Sequence, residues 1–532
     1  MKPLLKKGTR CLLVQSRFSD FSFWNYLDVC RLVGAKYPAA PLGLMTVAAL
    51  LPQEWDFKLV DENVEPLLPE HLQWADVVCC GGMLPQQSGI LSVIRKAHEH
   101  QKPVVVGGPD PTSQPGIYEE ADFLALGEGE VVIPLMLADW EKGVLKGRYR
   151  SSDQADMTRS PVPRFDLVRF EDYLHVGVQY SRGCPFNCEF CDIIELYGRI
   201  PRTKTVGQIL RELQTLHDLG YRGHVDFVDD NFIGNKKYVK QALPAVKEWS
   251  ESRRHPFFFS TEASINLAAD DQLLEMMRDV DFRYVFIGIE TPDDELLKLT
   301  QKKQNCRVSV TEAVKKIGSY GMIVNAGFIL GFDRESDLSA RHMIDCIQDS
   351  GICMAMVGLL TALPNTQLTR RLEKEGRLLA KGMQVSDSNE EIDQTTSGLN
   401  FVTDRPRRKV LSDYLKIIEA VYAPGKYYER VAATARNLNP SGKYRPGAGK
   451  ILNMARAFAR LCFRAGLASP DGWRFWKLIA AVLAGRPRSI EAAVNLAAMY
   501  LHFQKQSLFL RGLLTRKING LEDARAREFR AA

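Results

Sequence analysis

No apolar run in this sequence approaches the length needed to cross a bilayer. The longest uncharged stretch near its start, residues 37–53, is broken by Pro38, Pro41 and Pro52. The opening Met-Lys-Pro-Leu-Leu-Lys-Lys lacks the apolar segment of a secretion signal. A disulfide framework is missing as well, because 11 cysteines, an odd number, are scattered over 532 residues. No Gly-x-Gly-x-x-Gly opens a helix after the first apolar strand, which argues against a nicotinamide or flavin dinucleotide. The paired Cys-x2-Cys units or His-x3-His partner of a structural zinc site are also lacking. Together these absences lead us to expect a cytoplasmic protein in a reducing compartment.

What is present is an ordinary globular composition, 45% hydrophobic and 25% charged, in a chain too long for one core. The net charge of +6 is unevenly spread. Residues 404–532 hold 25 Lys and Arg against 9 Asp and Glu, whereas the remainder holds 45 against 55. The change of sign coincides with a change of pattern, so a boundary is expected near residue 404.

Residues 10 to about 150 alternate short apolar strands with helices, the pattern of a doubly wound parallel sheet. Three strands run into glycine loops: Gly81-Gly82-Met83, Gly107-Gly108-Pro109 and Gly127-Glu128-Gly129-Glu130. Ligands of such sheets bind beyond the carboxyl ends of the strands, where glycine lets the backbone come close. Residues 151–170 read as a linker. From His175 the alternation resumes as six strands, each followed by a helix, which suits an incomplete parallel barrel with its chemistry at the strand ends. Acids and glycines fall at those ends: Asp229-Asp230-Asn231, Glu262, Glu290, and Gly327-Phe-Ile329-Leu-Gly331. Beyond 404 the apolar spacing is helical over 410–422, 451–463, 473–483 and 490–514, with Arg and Lys interleaved.

The first strand of the barrel leads into Cys184-Pro-Phe-Asn-Cys188-Glu-Phe-Cys191. Three thiolates on one loop satisfy three irons of a [4Fe–4S] cube and leave the fourth open to a small ligand. This motif resembles the signature of the radical S-adenosylmethionine (SAM) enzymes, in which SAM chelates the open iron. The resemblance implies that Cys184, Cys188 and Cys191 hold the cluster. It further implies that Asp229 and Asp230 meet the methionine ammonium and Glu290 the ribose, with Gly327, Ile329 and Gly331 near adenine. Glu262 joins this SAM set as a strand-end carboxylate.

The N-terminal region, with Val60-Asp-Glu-Asn, Val106-Gly-Gly-Pro and Gly127-Glu-Gly-Glu, is similar to the cobalamin-binding domain that precedes many radical SAM cores. Gly82, Met83, Gln86, Gly107, Gly108, Pro109, Gly127, Glu128 and Gly129 are the implied contacts. The Asp-x-His-x-x-Gly motif that supplies a lower axial histidine is absent, which implies cobalamin held without one. Asp110 stands where many relatives carry histidine.

The expected fold class is therefore α/β: a Rossmann-like cobalamin-binding domain (1–150), a linker (151–170), a partial (β/α)6 radical SAM core (171–403) and a basic helical domain (404–532). The expected function is cobalamin-dependent C-methylation of an unactivated carbon through a 5′-deoxyadenosyl radical, resembling the hopanoid C-methylase group. The substrate would be a small molecule or a lipid, and a flavodoxin- or ferredoxin-type donor would supply electrons. A methylthiotransferase or ring-forming oxidoreductase, and a non-catalytic sensor, are the alternatives; Cys11, Cys30, Cys79 and Cys80 make a poor second cluster set. The basic helices are expected to cap the barrel or to meet a membrane surface peripherally. Their spread charges do not suggest nucleic acid.

Overall fold

The computed structural model describes residues 7–20, 22–306, 308–379, 395 and 398–531, with side chains described to residue 520. Seven strands come first: β1 (Arg10–Gln15), β2 (Tyr37–Ala39), β3 (Asp56–Asp61), β4 (Val77–Gly81), β5 (Val104–Gly107), β6 (Phe123–Leu126) and β7 (Gly147–Arg150). All but β2 form one sheet of order β3-β1-β4-β5-β6-β7, parallel throughout. Its strands are apolar on both faces because helices cover both. Cys11 and Leu13 enter one core with Leu44, Ala48 and Trp140; Leu12 and Val14 enter the other with Ile90, Val93 and Ala97. The loops after β4, β5 and β6 emerge side by side at the carboxyl edge.

The second sheet follows, with β8 (Tyr173–Val178), β11 (Gly223–Phe227), β12 (Phe257–Ala263), β13 (Phe282–Glu290), β14 (Ile323–Leu330) and β15 (Ala355–Leu359), while β9 (Ser181–Arg182) and β10 (Arg202–Thr203) form a separate antiparallel ribbon. Its order is β15-β14-β13-β12-β11-β8-β2, again parallel. The six expected barrel strands are thus joined by a seventh from the N-terminal region, with Tyr37 beside Tyr173 and Ala39 beside His175. Three residues interrupted by Pro38 carry no periodicity, and β2 holds its place as an edge strand, where proline is tolerated.

The helices past residue 404 are Arg407–Val421, Pro424–Asn437, Ala448–Leu461, Gly472–Gly485 and Ile490–Ala531. The second of these was not foreseen. They do not form a core of their own, since one apolar cluster runs from Val176 through the barrel to Leu514. Tyr414 and Tyr422 donate to the carbonyls of Val357 and Ala355 in β15 (2.8 and 2.7 Å). Buried Arg430 donates to those of Ile352 and Val421 (2.8 and 2.6 Å). The change in charge at 404 is therefore a change of surface and not a break in packing. Among the described residues, no helix is long and apolar enough to cross a membrane.

Candidate active site

Cys184, Cys188 and Cys191 lie on the loop between β9 and β10, just beyond the carboxyl end of β8. Gly183, at φ +91°, starts the turn in a conformation that an L side chain resists, and a Cβ there would meet the carbonyls of Tyr197, Gly198 and Ile200. The loop is clasped from the far side of the barrel. Asn187 donates to Gln301 (2.6 Å), Gln367 donates to Asn187 (3.0 Å), and Arg371 donates to Glu189 (2.6 Å).

Asn231 Nδ2 and Gln304 Nε2 point at the sulfurs of Cys184 and Cys188 (3.8 and 3.5 Å). Buried Lys302 also lies close. Burial opposes its charge, yet Glu290 and the Cys188 sulfur hold its pKa above the ordinary lysine value. Burial raises the Cys184 and Cys191 thiols, with Asn231 and Lys302 acting against it at Cys184. A bound metal reverses that order and holds thiolates outright. No three His, Cys, Asp or Glu among the described residues converge as ligands of a single ion, and in a cube each thiolate has its own iron. Three thiols beside a buried cation and amide donors fit an anionic iron–sulfur cluster. Lys302 and Gln304 were not found by sequence reasoning, and Asn231 was placed at a strand end but not beside the cluster, since no spacing ties them to the cysteines.

Most of the acids expected at the strand ends already have partners. Asp229 accepts from Tyr180 N (2.8 Å), Ser181 N (2.9 Å) and Ser181 Oγ (2.7 Å), so it braces the entry to the cluster loop and is not held open for an ammonium. Asp230 accepts from Gly183 N (2.8 Å). Glu290, at φ +66°, is buried and ion-paired with Lys302. Gly331 N donates to Glu335 (2.7 Å), and a Cβ on Gly331 would strike Leu399, so this glycine turns into packing. Gly327 makes room for the Phe286 ring, and Ile329 is half-buried on β14. Glu262 differs: its carboxylate has no hydrogen bond or ion pair among the described residues, and the side chain opens into a cavity. Although the residue is exposed to the chamber, desolvation by the surrounding barrel wall, with Asp226, Asp230 and Asp229 nearby, pushes its carboxyl up to about 8.

That cavity, of about 1960 Å³, runs from the glycine loops of the first sheet through the barrel to the helix Ala448–Leu461. All nine residues expected at the N-terminal ligand site line it: Gly82, Met83, Gln86, Gly107, Gly108, Pro109, Gly127, Glu128 and Gly129. The loops approach closely because they are bare backbone. A Cβ on Gly81 would lie 2.1 Å from the Gly107 carbonyl oxygen. Gln86 donates to the Ser16 carbonyl (2.8 Å) and accepts from Met83 N (3.1 Å), holding the first loop.

Two details differ from expectation. Asp110 is turned inward, accepting from Gln87 (3.0 Å), Gln114 (2.9 Å) and the Tyr118 hydroxyl, and it does not line the cavity. Glu128, although it borders the cavity, is engaged by Arg182 (2.9 Å) and Arg202 (2.8 Å), while Arg182 also holds Glu130 (2.8 Å). This nearly buried ion-pair network ties the last glycine loop to the cluster loop. Burial alone would raise the Glu130 carboxyl, but Arg182 more than offsets it and holds it below the usual value.

Comparison with known proteins follows these lines. Residues 178–347 match the radical SAM superfamily, and residues 366–511 match a domain of unknown function, DUF4070. An uncharacterized methyltransferase of Synechocystis sp. is 42% identical over 93% of this chain and 91% of its own. The hopanoid C-2 methylase of Rhodopseudomonas palustris is 36% identical over 82% of each chain. Two solved structures share the fold at low identity. The cobalamin-dependent SAM radical enzyme OxsB has a TM-score of 0.59 at 15% identity, over 97% of this chain and 81% of its own. The radical SAM methyltransferase TsrM of Kitasatospora setae has a TM-score of 0.61 at 13% identity, over 85% and 99%. With its cysteine loop at the head of a parallel half-barrel, the chain belongs to the radical SAM superfamily, within the family that includes the hopanoid C-2 methylase.

Proposed function

We propose that the protein is a cobalamin-dependent radical SAM C-methyltransferase acting on an unactivated carbon of an apolar, lipid-like substrate. The observation that carries this reading is the single cavity that joins the glycine loops, the barrel interior and the Glu262 carboxylate. Two cofactors that must both reach one carbon require such a shared chamber.

When bound, the cluster, SAM and cobalamin supply an adenosyl radical for hydrogen abstraction and a methyl group for delivery. The chain's part is to hold and orient. Cys184, Cys188 and Cys191 hold the cluster, and Lys302 lowers the cost of its negative charge. We assign SAM to Asp230, Glu262 and Glu290, with Gly327, Ile329 and Gly331 alongside and Asp229 bracing from behind. The glycine loops with Met83 and Gln86 hold the corrinoid. The Arg182–Glu128–Glu130 network keeps the two cofactor sites at a constant separation, which a near-attack geometry demands. Apolar walls exclude water from a reactive radical.

Methylthio transfer finds less support. Cys79 and Cys80 border the cavity but enter cores on opposite faces of the first sheet, and Cys11, 3.7 Å from Cys79, is buried with it, so the three thiols do not converge on one second cluster. Lipid-like character is supported by the far end of the cavity, where Ile451, Met454 and Phe458 line it while remaining exposed. Nearby Phe463, Leu467, Trp473 and Trp476 are exposed beside Arg464, Arg474 and Lys477, which suits an anionic membrane surface. The deciding experiment is anaerobic turnover with methyl-deuterated SAM, a flavodoxin-type reductant and a lipid extract. We expect 5′-deoxyadenosine, S-adenosylhomocysteine and one deuteromethylated lipid. Deoxyadenosine without any labelled product, or a product labelled through sulfur, would overturn the assignment.

A further inference from the structure

Below Glu262 the barrel carries polar groups that the cofactor assignment leaves unused. Strand alternation turns His175, His224, Asp226, Ser260 and Asn325 into the cavity, and register sets them in tiers. His224 stands beside His175 and Phe258, Asp226 beside Ser260, and Asn325 beside Phe286 on the tier of Glu262.

Ser260 Oγ donates to Asp226 Oδ1 and lies 2.6 Å from His224 Nε2. A hydroxyl has one proton. With that proton on Asp226, the contact to His224 needs the imidazole to donate from Nε2, which leaves Nδ1 as a bare acceptor. Burial, aided by His175, Lys450 and Arg283, holds His224 well below its usual pKa, so the ring stays neutral. Asp226 keeps a second oxygen with no donor among the described residues. Asn325 Oδ1 is buried and likewise has none. The side chains of Asp226, His224 and Asn325 thus line one stretch of cavity, which Trp24, Leu42 and Phe286 also line.

We infer that Asp226, His224 and Asn325 form a specificity site for a hydroxyl group on an otherwise apolar substrate. The inference rests on the reading above that this cavity receives the substrate. An apolar ligand entering the chamber would strip water from the half-buried Asp226 and His224 acceptors and leave them unpaired, so a ligand that brings the missing protons is favoured over one that lacks them. Ser260 acts as a positioning residue: it orients Asp226 and fixes the His224 tautomer. An apolar molecule thus anchored could not slide along the chamber, so one carbon would be presented to the cofactor end.

The test measures binding rather than turnover. Isothermal titration of the full, cluster-loaded chain would compare 1-octanol with methyl octyl ether, which has the oxygen but no donor, and with octylamine. The alcohol should bind roughly tenfold more tightly than the ether. That ratio should fall toward one in Asp226→Asn and in Ser260→Ala, the latter leaving every charge in place, while SAM affinity stays unchanged. Equal binding of alcohol and ether to the wild type, or an unaltered ratio in both variants, would overturn the inference. Loss of SAM affinity in step with the ratio would also overturn it, because the acceptors would then serve SAM. A clear preference for octylamine over octanol would reassign the site to a cationic group. Failure of the methyl-transfer reading would show instead in the turnover products, which this titration does not use.

Discussion

The two sets of strand ends that meet at the cavity are built on opposite plans. The loops after β4, β5 and β6 present backbone, and all nine residues expected there line the chamber. The ends of β11 and β13 present side chains, and Asp229, Asp230 and Glu290 are already bonded to other parts of the protein. A backbone site needs only the absence of a side chain, which residue type states directly. A carboxylate site depends on which donors the rest of the fold brings near, and those donors come from distant positions in the chain.

Breaking the side-chain site should give the largest effect. Replacing Cys184, Cys188 or Cys191 by Ala should take reconstituted protein from about four irons per chain to nearly none, and reductive SAM cleavage should vanish. Iron analysis and the charge-transfer absorption check this; zinc in place of iron would contradict it. Next comes Lys302→Met, which leaves Glu290 buried and unpaired. It should cost about 3–5 kcal/mol in denaturant unfolding, and restoring a cation with Lys302→Arg should recover part of that.

The backbone site is tested by Gly81→Ala. The added Cβ would meet the Gly107 carbonyl at 2.1 Å, so one loop must move. We expect a loss of about 1–3 kcal/mol and weaker corrinoid retention, whereas Gly116→Ala, with open space around it, should change neither. If Gly81→Ala retained cobalamin fully, close approach of the loops would not be what the glycine is for.

A pH series sharpens the contrast further, because Glu262 is the acid left without a partner. Its carboxyl is raised by desolvation, from an ordinary value near 4.5 to about 8. The native state therefore holds a proton that the unfolded state has lost, and Glu262 removes stability as pH rises from about 4.5 through 8. Glu262→Gln should match the wild type below that window and exceed it above. The gap should be about 1–2 kcal/mol in SAM-free protein, once screening within the open cavity is allowed for. Thermal unfolding across the window checks the sign. The smallest effect is expected at the surface. Ser in place of Phe463 (63% exposed) or Leu467 (72% exposed) should weaken partition into anionic vesicles by about 1 kcal/mol each and leave stability unchanged.

Much of the architecture was legible. Residues 323–330 and 355–359 form strands where short apolar runs place them, Thr366 caps the helix after the second, and Thr205 caps the helix after the cluster loop. The strand β2 and the helix Pro424–Asn437 were not legible. Tyr37-Pro-Ala is too short to show alternation, and the second segment hides its apolar face among tyrosines and arginines. Of the site, the cysteines and glycine loops could be named in advance. The roles of Lys302, Arg182, Asn231 and the His224–Ser260–Asp226 chain could not, since each becomes significant only through a neighbour a dozen or more residues away.

By itself, then, the sequence determined what depends on local spacing: two parallel α/β units, a three-thiol loop on a strand end, and bare backbone at three neighbouring turns. Tertiary structure decided what depends on meeting. It lent the barrel an N-terminal strand, fused the basic helices to the barrel core, satisfied most of the strand-end acids, and opened one chamber between the two sheets. The division follows from range. Hydrophobic period and glycine act within a few residues, whereas the state of a buried charge is set by groups that only the folded chain brings within hydrogen-bonding distance.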